Sequence, residues 1–516
     1  MSTRPIEIMD TTLRDGEQTS GVSFSATEKL TLAKELLLKL KVDRIEVASA
    51  RVSKGEFDAV KEITTWAKSA GLLDRVEVLT FVDKGVSLDW MVEAGATVQN
   101  LLTKGSLNHL THQLRKTPEQ HFADIEATIK DAQSRGITTN VYLEDWSNGM
   151  RNSEEYVLRY LDFLNTQPIK RVLLPDTLGI LTYKETGKFI KKLIKRYPNL
   201  HFDFHAHNDY DLSVANVMEA IESGVQGLHL TINGMGERAG NAPMASVIAI
   251  IKDFLSDQVR INVEEKSLYR VSKLTENFSG FNIPVNKPVV GENVFTQTAG
   301  IHADGDIKKN LYYNDLLPER FDRKRKYALG KTSGKANIEK NLKELGWGDL
   351  PSDQIKRITQ KIIELGDKKK FITQEDLPFI VSDVLDLDFD RKVVVESYSL
   401  TSSKGRIRPA AVVGISIDGE FFEEVAQGDG QFDAFMNALR KIYKKNNLEV
   451  PKLTDYVVRI PPGSSSDALC NTVISWKIGN KEFTTHGLDS DQIVSSIQAT
   501  EKMLNLILLD VFLDKS

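Results

Sequence analysis

The sequence predicts an α/β chain: a (β/α)8 barrel, then helical linker subdomains, then a C-terminal α+β domain of two βββα units. Three observations carry this. Eight short apolar runs alternate with amphipathic helical segments up to about residue 260, the beat of parallel strands joined by right-handed crossovers. Polar residues gather where those runs end. Beyond residue 388 the pattern becomes strands followed by one long helix, and it does so twice.

The eight runs are Ile6–Asp10, Arg44–Ala48, Val76–Phe81, Val98–Leu102, Asn140–Glu144, Arg171–Pro175, Phe202–His205 and Gly227–Thr231. Between them lie helical patterns such as ATEKLTLAKELLLKL and YDLSVANVMEAIESG. Eight such units in the roughly 250 residues typical of a barrel favour closure over a doubly wound sheet. The expected domains are 1–265 (barrel), 266–388 (linker subdomains) and 389–516 (C-terminal domain). A chain of 516 residues is too long for one ordinary core.

Composition excludes several functions. Lys and Arg total 67 against 72 Asp and Glu, a net charge of −5, so there is no electrostatic footprint for nucleic acid or an anionic membrane. The single cysteine, Cys470, rules out an intramolecular disulfide and a cysteine zinc cluster. MSTRPIEIMD has no apolar leader region, and no window approaches the roughly 18 apolar residues of a membrane span. A cytoplasmic enzyme or regulator is expected.

Strand parity locates the chemistry. In HFDFHAHND, His205 and His207 share one face and Phe202 and Phe204 the other. Alone, this HxH fits a metal half-site as well as one core histidine beside a surface one. Other strand ends change that balance. Asp10, Arg14 and Asp15 follow strand one, Tyr142 and Glu144 end strand five, Asp176 and Thr177 follow strand six, and NGMGERAGN follows strand eight. In a barrel these ends face one shared site.

Asp15, His205 and His207 then make a mixed nitrogen and oxygen set for Zn²⁺, Mn²⁺ or a similar divalent ion. Asn241 either adds a carbonyl oxygen or caps the helix over APMASVIAI. Arg14 either stabilises an enolate or alkoxide oxygen or pairs with Asp10 or Glu17. Glu144 is a candidate base or a supporting partner, and Thr177 a donor to a substrate carboxylate or a turn residue. The GxG of NGMGERAGN is not a dinucleotide fingerprint, since it follows the eighth strand and lacks the third glycine. Its glycines are expected to let backbone approach the metal site or a phosphate-bearing ligand.

DTTLRDGEQTSGVSFS, HAHND, NGMGERAGNAP and TQTAGIHADG resemble the metal-dependent, TIM-barrel condensing synthases of the isopropylmalate, homocitrate and citramalate synthase family. The likeness covers nearly the whole chain. It implies attack of the acetyl-CoA enolate on a 2-oxo acid, then thioester hydrolysis. By motif it implies metal ligation by Asp15, His205 and His207, oxyanion stabilisation by Arg14 and carboxylate binding by Thr177. Glu144 is implied in proton abstraction from the acetyl methyl. His302 is implied as its partner, reaching a neighbouring subunit's site, and Tyr312 matches a tyrosine near the active site. Lyase relatives carry cysteines in the loop corresponding to NGMGERAGN; this chain has none there.

The acceptor is read from Tyr142, which stands two residues before Glu144 where isopropylmalate synthases carry a serine. Leu102 stands where they tend to carry a histidine. With Leu79 these form a lining that resembles the citramalate synthases, whose oxo acid is pyruvate; the bland alternative is ordinary barrel core. The same-family alternative is an isopropylmalate synthase acting on 3-methyl-2-oxobutanoate, and the other-class alternative a non-catalytic amino-acid sensor.

Past the barrel, the basic cluster Arg320–Lys326 reads as a solvated or CoA-phosphate-facing surface. The C-terminal repeats place VVVESYSL, AAVVGISID and FFEEVAQGDG before FDAFMNALRKIYKK, and DYVVRIPP, NTVISWKIG and KEFTTHGLD before IVSSIQATEKMLNLIL. The resemblance implies a regulatory domain binding an end-product amino acid, here isoleucine, and a homodimer.

Overall fold

This computed structural model describes residues 3–297, 314–344, 350–367, 372, 376–385, 392–402, 405, 407–459, 470–479 and 481–508. The chain forms two compact units, residues 1–296 with 313–325 and residues 297–312 with 326–516.

The first unit is the expected closed parallel barrel. Its strands are β1 Glu7–Asp10, β2 Arg44–Ser49, β3 Val76–Phe81, β4 Val98–Lys104, β5 Thr138–Glu144, β6 Arg171–Asp176, β7 Phe202–Ala206 and β8 Gly227–Leu230. β1 closes the ring on β8, with Glu7 opposite Gly227 and Asp10 opposite Leu230. The outer ring is α1 Ala26–Lys34, α2 Lys54–Ser69, α3 Val86–Glu93, α4 Pro118–Ser134, α5 Glu154–Leu164, α6 Tyr183–Arg196, α7 Ser213–Ser223 and α8 Met244–Phe254. Helix starts are encoded locally. Ser25 with Glu28, Thr117 with Gln120 and Thr182 with Glu185 form capping boxes on α1, α4 and α6; each cap contributes about 1 kcal/mol.

Alternate strand residues point outward, and pairs such as Ile45 and Val47, Val76 and Val78, and Phe202 and Phe204 bury completely under the helices. Each contributes about 1.5–3 kcal/mol. The inward positions depart from the branched aliphatic filling usual for this fold. Near the amino ends of the strands, Arg44 pairs with Glu7 at 3.1 Å, Glu77 at 2.9 Å and Asp203 at 2.5 Å. Arg171 joins Glu7 at 2.5 Å. Arg44 on β2 reaches Asp203 on β7 only through the barrel interior, so the floor is an ionic network. Removing one member would leave its partner buried and uncompensated, a cost of about 3–5 kcal/mol. Gly227 belongs to the same design. A Cβ there would stand 2.1 Å from Asp203 Oδ1, so only glycine leaves the carboxylate its space.

In the second unit, α9 Lys335–Glu344, α10 Ser352–Asp367 and α11 Leu377–Leu385 share a small core that includes Ile338, Leu342, Ile355, Ile358 and Leu377. Two three-stranded antiparallel sheets follow. The first is β9 Val393–Leu400, β10 Ala410–Ile417 and β11 Glu420–Gln427, closed by α12 Gln431–Lys445. The second is β12 Lys452–Arg459, β13 Cys470–Ile478 and β14 Lys481–Asp489, closed by α13 Gln492–Ile507. Val413, Phe435, Leu439, Trp476, Met503 and Leu504 lie in one apolar cluster, so both βββα repeats share a core, as their sequence predicts. Among the described residues no helix is long and apolar enough to cross a membrane.

Candidate active site at the carboxyl ends of the strands

β1 ends in a tight turn, in which the Asp15 and Gly16 amides donate to the Thr11 carbonyl at 2.8 and 3.0 Å. The turn directs Arg14 and Asp15 over the barrel mouth. Asp15 Oδ2 lies 3.3 Å from His205 Nε2 and 3.8 Å from His207 Nε2. It accepts from Asn241 Nδ2 at 2.7 Å. Burial favours the neutral acid, but Arg14 and the two imidazoles hold the Asp15 carboxyl well below its usual range. Burial also pushes His207 down to about 4, despite the Asp15 carboxylate beside it; neutral imidazole is the ligating form.

Asp15, His205 and His207 each offer a ligand atom within 4.8 Å of the others, and all three residues are buried. Asn241 Oδ1 is buried beside them with no hydrogen-bond partner. One carboxylate, two imidazoles and an unpartnered carbonyl oxygen fit a divalent cation of the Zn²⁺ or Mn²⁺ kind.

The capping alternative for Asn241 is corrected: α8 starts at Met244 with Pro243 at its N-cap. Asn241 instead bridges to His207, and its Nδ2 also donates to the Met235 carbonyl at 3.0 Å. The loop wraps it so tightly that a Cβ on Gly236, at φ +150°, would meet Asn241 Nδ2 at 2.2 Å. Here the loop's glycines let backbone close on the ligand cluster.

Arg14 pairs with neither Asp10 nor Glu17. Its Nε donates to Glu46 at 2.6 Å, Nη1 to Asp15 at 3.0 Å and Nη2 to the Tyr142 hydroxyl at 3.3 Å. Glu17 pairs with Lys29 at 2.6 Å. Asp10 accepts from its own turn, the Thr12 amide at 2.9 Å and hydroxyl at 2.8 Å. Asp176 likewise holds the Ile180 and Leu181 amides at 3.1 and 3.0 Å. Both aspartates stand at the outward parity of their strands, so of the polar strand ends these two serve loop structure. Glu46 was not singled out from sequence. The signal was present: it is a charged residue inside the apolar run RIEVAS, at the inward parity it shares with Arg44. Asn100 Nδ2 holds it from β4 at 2.7 Å.

Tyr142 is 2% exposed and forms a small cluster, separate from the main core, with Leu79 and Leu173, against which Leu102 packs. The structure thus gathers the three residues expected to line the acceptor pocket and adds Leu173, the inward-facing leucine of RVLLP. The Tyr142 hydroxyl lies 2.9 Å from His229 Nδ1.

Glu144 shares the inward parity of Tyr142, and its carboxylate forms an ion pair with Lys104 at the end of β4. Lys104 is a second residue missed from sequence. The Thr177 hydroxyl accepts from the Asp145 amide at 2.9 Å, and its carbonyl from Arg238 Nη2 at 2.7 Å. That second bond ties the loops after β6 and β8 together. His302 and Tyr312 lie outside the described residues.

The basic cluster is corrected where it falls in this unit. Arg320 pairs with Asp253 at 2.6 Å and Glu265 at 2.7 Å. Arg323 donates to the carbonyls of Val289 and Gly291 and stacks 4.4 Å from the Tyr269 ring. Both are structural clamps rather than a phosphate-facing surface.

A parallel eight-stranded barrel with a cation-competent cluster and a charged Arg and Glu at its mouth defines a barrel enzyme. The chain belongs to the HMGL-like family, which residues 5–275 match. Residues 289–370 match the homocitrate synthase post-HMGL domain-like family, and residues 371–508 the LeuA allosteric (dimerisation) domain. A relative from Archaeoglobus fulgidus is 34% identical over 97% of this chain and 99% of its own. The (R)-citramalate synthase CimA of Methanocaldococcus jannaschii is 32% identical over 98% of this chain and 99% of its own. The 2-isopropylmalate synthase of the same organism is 32% identical over 98% of this chain and 95% of its own.

Proposed function

We propose that this chain is an (R)-citramalate synthase, a cytoplasmic enzyme that condenses acetyl-CoA with pyruvate and water to give citramalate and CoA. The observation that carries the acceptor is the Tyr142 ring, walled by Leu79, Leu102 and Leu173 on the inward parity that ends in Glu144. A methyl group fits against such a filled wall, and an isopropyl group meets the ring. Relatives named (R)-citramalate synthase support the reading. The runner-up, 2-isopropylmalate synthase, rests on relatives of that name at comparable identity.

Asp15, His205 and His207, with Asn241, would hold a divalent ion, Zn²⁺ or Mn²⁺ in first place. When bound, such an ion supplies Lewis acidity toward a keto oxygen. Arg14, clamped by Glu46, sets its positive charge beside that position, where negative charge develops as the new carbon–carbon bond forms. Glu144 takes the proton from the acetyl methyl, its carboxylate oriented by Lys104. Thr177 already accepts from the Asp145 amide, so its hydroxyl proton is left to donate to the substrate carboxylate. His302 and Tyr312 are assigned here by motif alone.

Incubation with acetyl-CoA and pyruvate is expected to yield citramalate by mass spectrometry. Chelation should abolish product, and Zn²⁺ or Mn²⁺ should restore it. Full product in a chelated, metal-free sample would remove the metal assignment. The C-terminal domain, by its match to an allosteric dimerisation domain, is assigned to a homodimer that senses isoleucine. Millimolar isoleucine should lower the initial rate; a rate unchanged by either isoleucine or leucine would remove the feedback assignment.

A further inference from the structure

His229 is buried completely in the middle of β8. It touches none of the candidate metal ligands by hydrogen bond, yet it is joined on both sides. Its Nε2 lies 3.1 Å from Asp203 Oδ2 and its Nδ1 2.9 Å from the Tyr142 hydroxyl. The ring meets Tyr142 edge-on at 5.5 Å between centroids.

The direction of each hydrogen bond follows from charge. Asp203 Oδ2 takes the Arg44 guanidinium at 2.5 Å as a buried ion pair. It is therefore an acceptor only, and His229 Nε2 must donate to it. With the ring proton on Nε2, Nδ1 is the acceptor, and it lies nearer the Tyr142 hydroxyl, at 2.9 Å, than Glu46 Oε2 does at 3.4 Å. The Tyr142 hydroxyl must then donate to Nδ1. Its oxygen is left to accept from Arg14 Nη2 at 3.3 Å. The opposite tautomer would turn the phenol proton toward Glu46 Oε2, 3.4 Å away, in competition with Arg14 for that carboxylate. A single polarity thus runs from the floor network to the mouth: Arg44 and His229 donate to Asp203, Tyr142 to His229, and Arg14 to Tyr142.

We propose that His229, oriented by Asp203, is a positioning residue that fixes the phenol of Tyr142, and through it both the setting of Arg14 and the width of the acceptor pocket. The proposal rests on the condensation reading above for its kinetic consequences, but its hydrogen-bond order is testable without turnover. Neither residue adds a donor to the substrate. Their effect is that Tyr142 has one position, and a pocket wall that cannot swing away discriminates by size.

Two measurements on the full-length chain test it. In the first, nitrogen NMR of histidine-labelled protein, assigned with a His229→Asn variant, should place the His229 proton on Nε2. The Nδ1 resonance should move in Tyr142→Phe, which loses the donor. A proton on Nδ1, or an Nδ1 resonance blind to Tyr142→Phe, overturns the proposal. In the second, metal content and kinetics are compared between His229→Leu and His229→Asn, whose side-chain oxygen falls near the position of Nδ1. His229→Leu should keep its metal, lower kcat, and lose about 10-fold of the preference for pyruvate over 3-methyl-2-oxobutanoate. His229→Asn should recover most of that preference. An unchanged preference in His229→Leu, or equal loss in both, also overturns it. If the wild-type chain releases CoA with neither acid, the condensation reading fails, and the nitrogen shifts alone decide the hydrogen-bond order.

Discussion

Asp15→Ala is expected to leave the chain without bound metal and with CoA release lowered by on the order of 10³-fold or more, the rate equivalent of several kcal/mol of Lewis-acid stabilisation. The expectation follows from what surrounds the carboxylate. Asp15 is the only anion among the three candidate ligands, so its loss would leave two neutral imidazoles to face a cation. It also holds Arg14 at 3.0 Å and Asn241 at 2.7 Å, and both lose their anchor with it. Metal analysis of the dialysed variant and initial rates with pyruvate check the two halves separately. Wild-type metal content or a wild-type rate would each refute the assigned role.

Glu144→Ala is expected to behave oppositely with respect to the ion. The residue ends β5, its carboxylate engages Lys104 rather than the Asp15 cluster, and metal content should stay at the wild-type level. Turnover should nevertheless fall by about 10²–10⁴-fold, the usual contribution of a positioned general base. The lysine left unpaired is 9% exposed at its side chain, so a modest loss of thermal stability accompanies the change. A metal-loaded Glu144→Ala that turns over normally would show that proton abstraction lies elsewhere. Together the two variants separate holding the ion from moving the proton.

Much of this site was legible in the sequence because strand parity is a local property. The alternation in HFDFHAHND put His205 and His207 on one face, and the same rule put Tyr142 and Glu144 together. Closure of eight β/α units then carried Asp15 from β1 to within 3.3 Å of His205 on β7. What parity does not give is the partner across the barrel. Glu46, Lys104 and His229 each sit at an inward position, but which side chain each meets depends on strand tilt and closure, and no short stretch of sequence encodes those. Arg14 was therefore offered Asp10 and Glu17, its neighbours in the chain, when its true partner is 32 residues away.

The same limit explains two other differences. Asp10 and Asp176 stand at strand ends, where polar residues read as chemistry, but their parity turns them outward to loop amides. Asn241 precedes an apolar helical stretch by the spacing of a cap. Pro243 takes that position instead, and the extended link between them frees Asn241 to reach Asp15. Arg320 and Arg323 read as a basic surface because their carboxylate and carbonyl partners lie far off in sequence.

The central claim is that a filled acceptor wall, set by Tyr142 beside the Asp15, His205 and His207 cluster, selects pyruvate, with only a methyl to bury, over the branched 2-oxo acid. It is tested most directly by kcat/KM for CoA release with pyruvate and with 3-methyl-2-oxobutanoate, measured on the same metal-loaded preparation. A preference for pyruvate of about 10²-fold or more is expected, at or above the upper part of the roughly 10–200-fold that a single methylene is worth in an apolar pocket. Equal or faster turnover of the branched acid would contradict it.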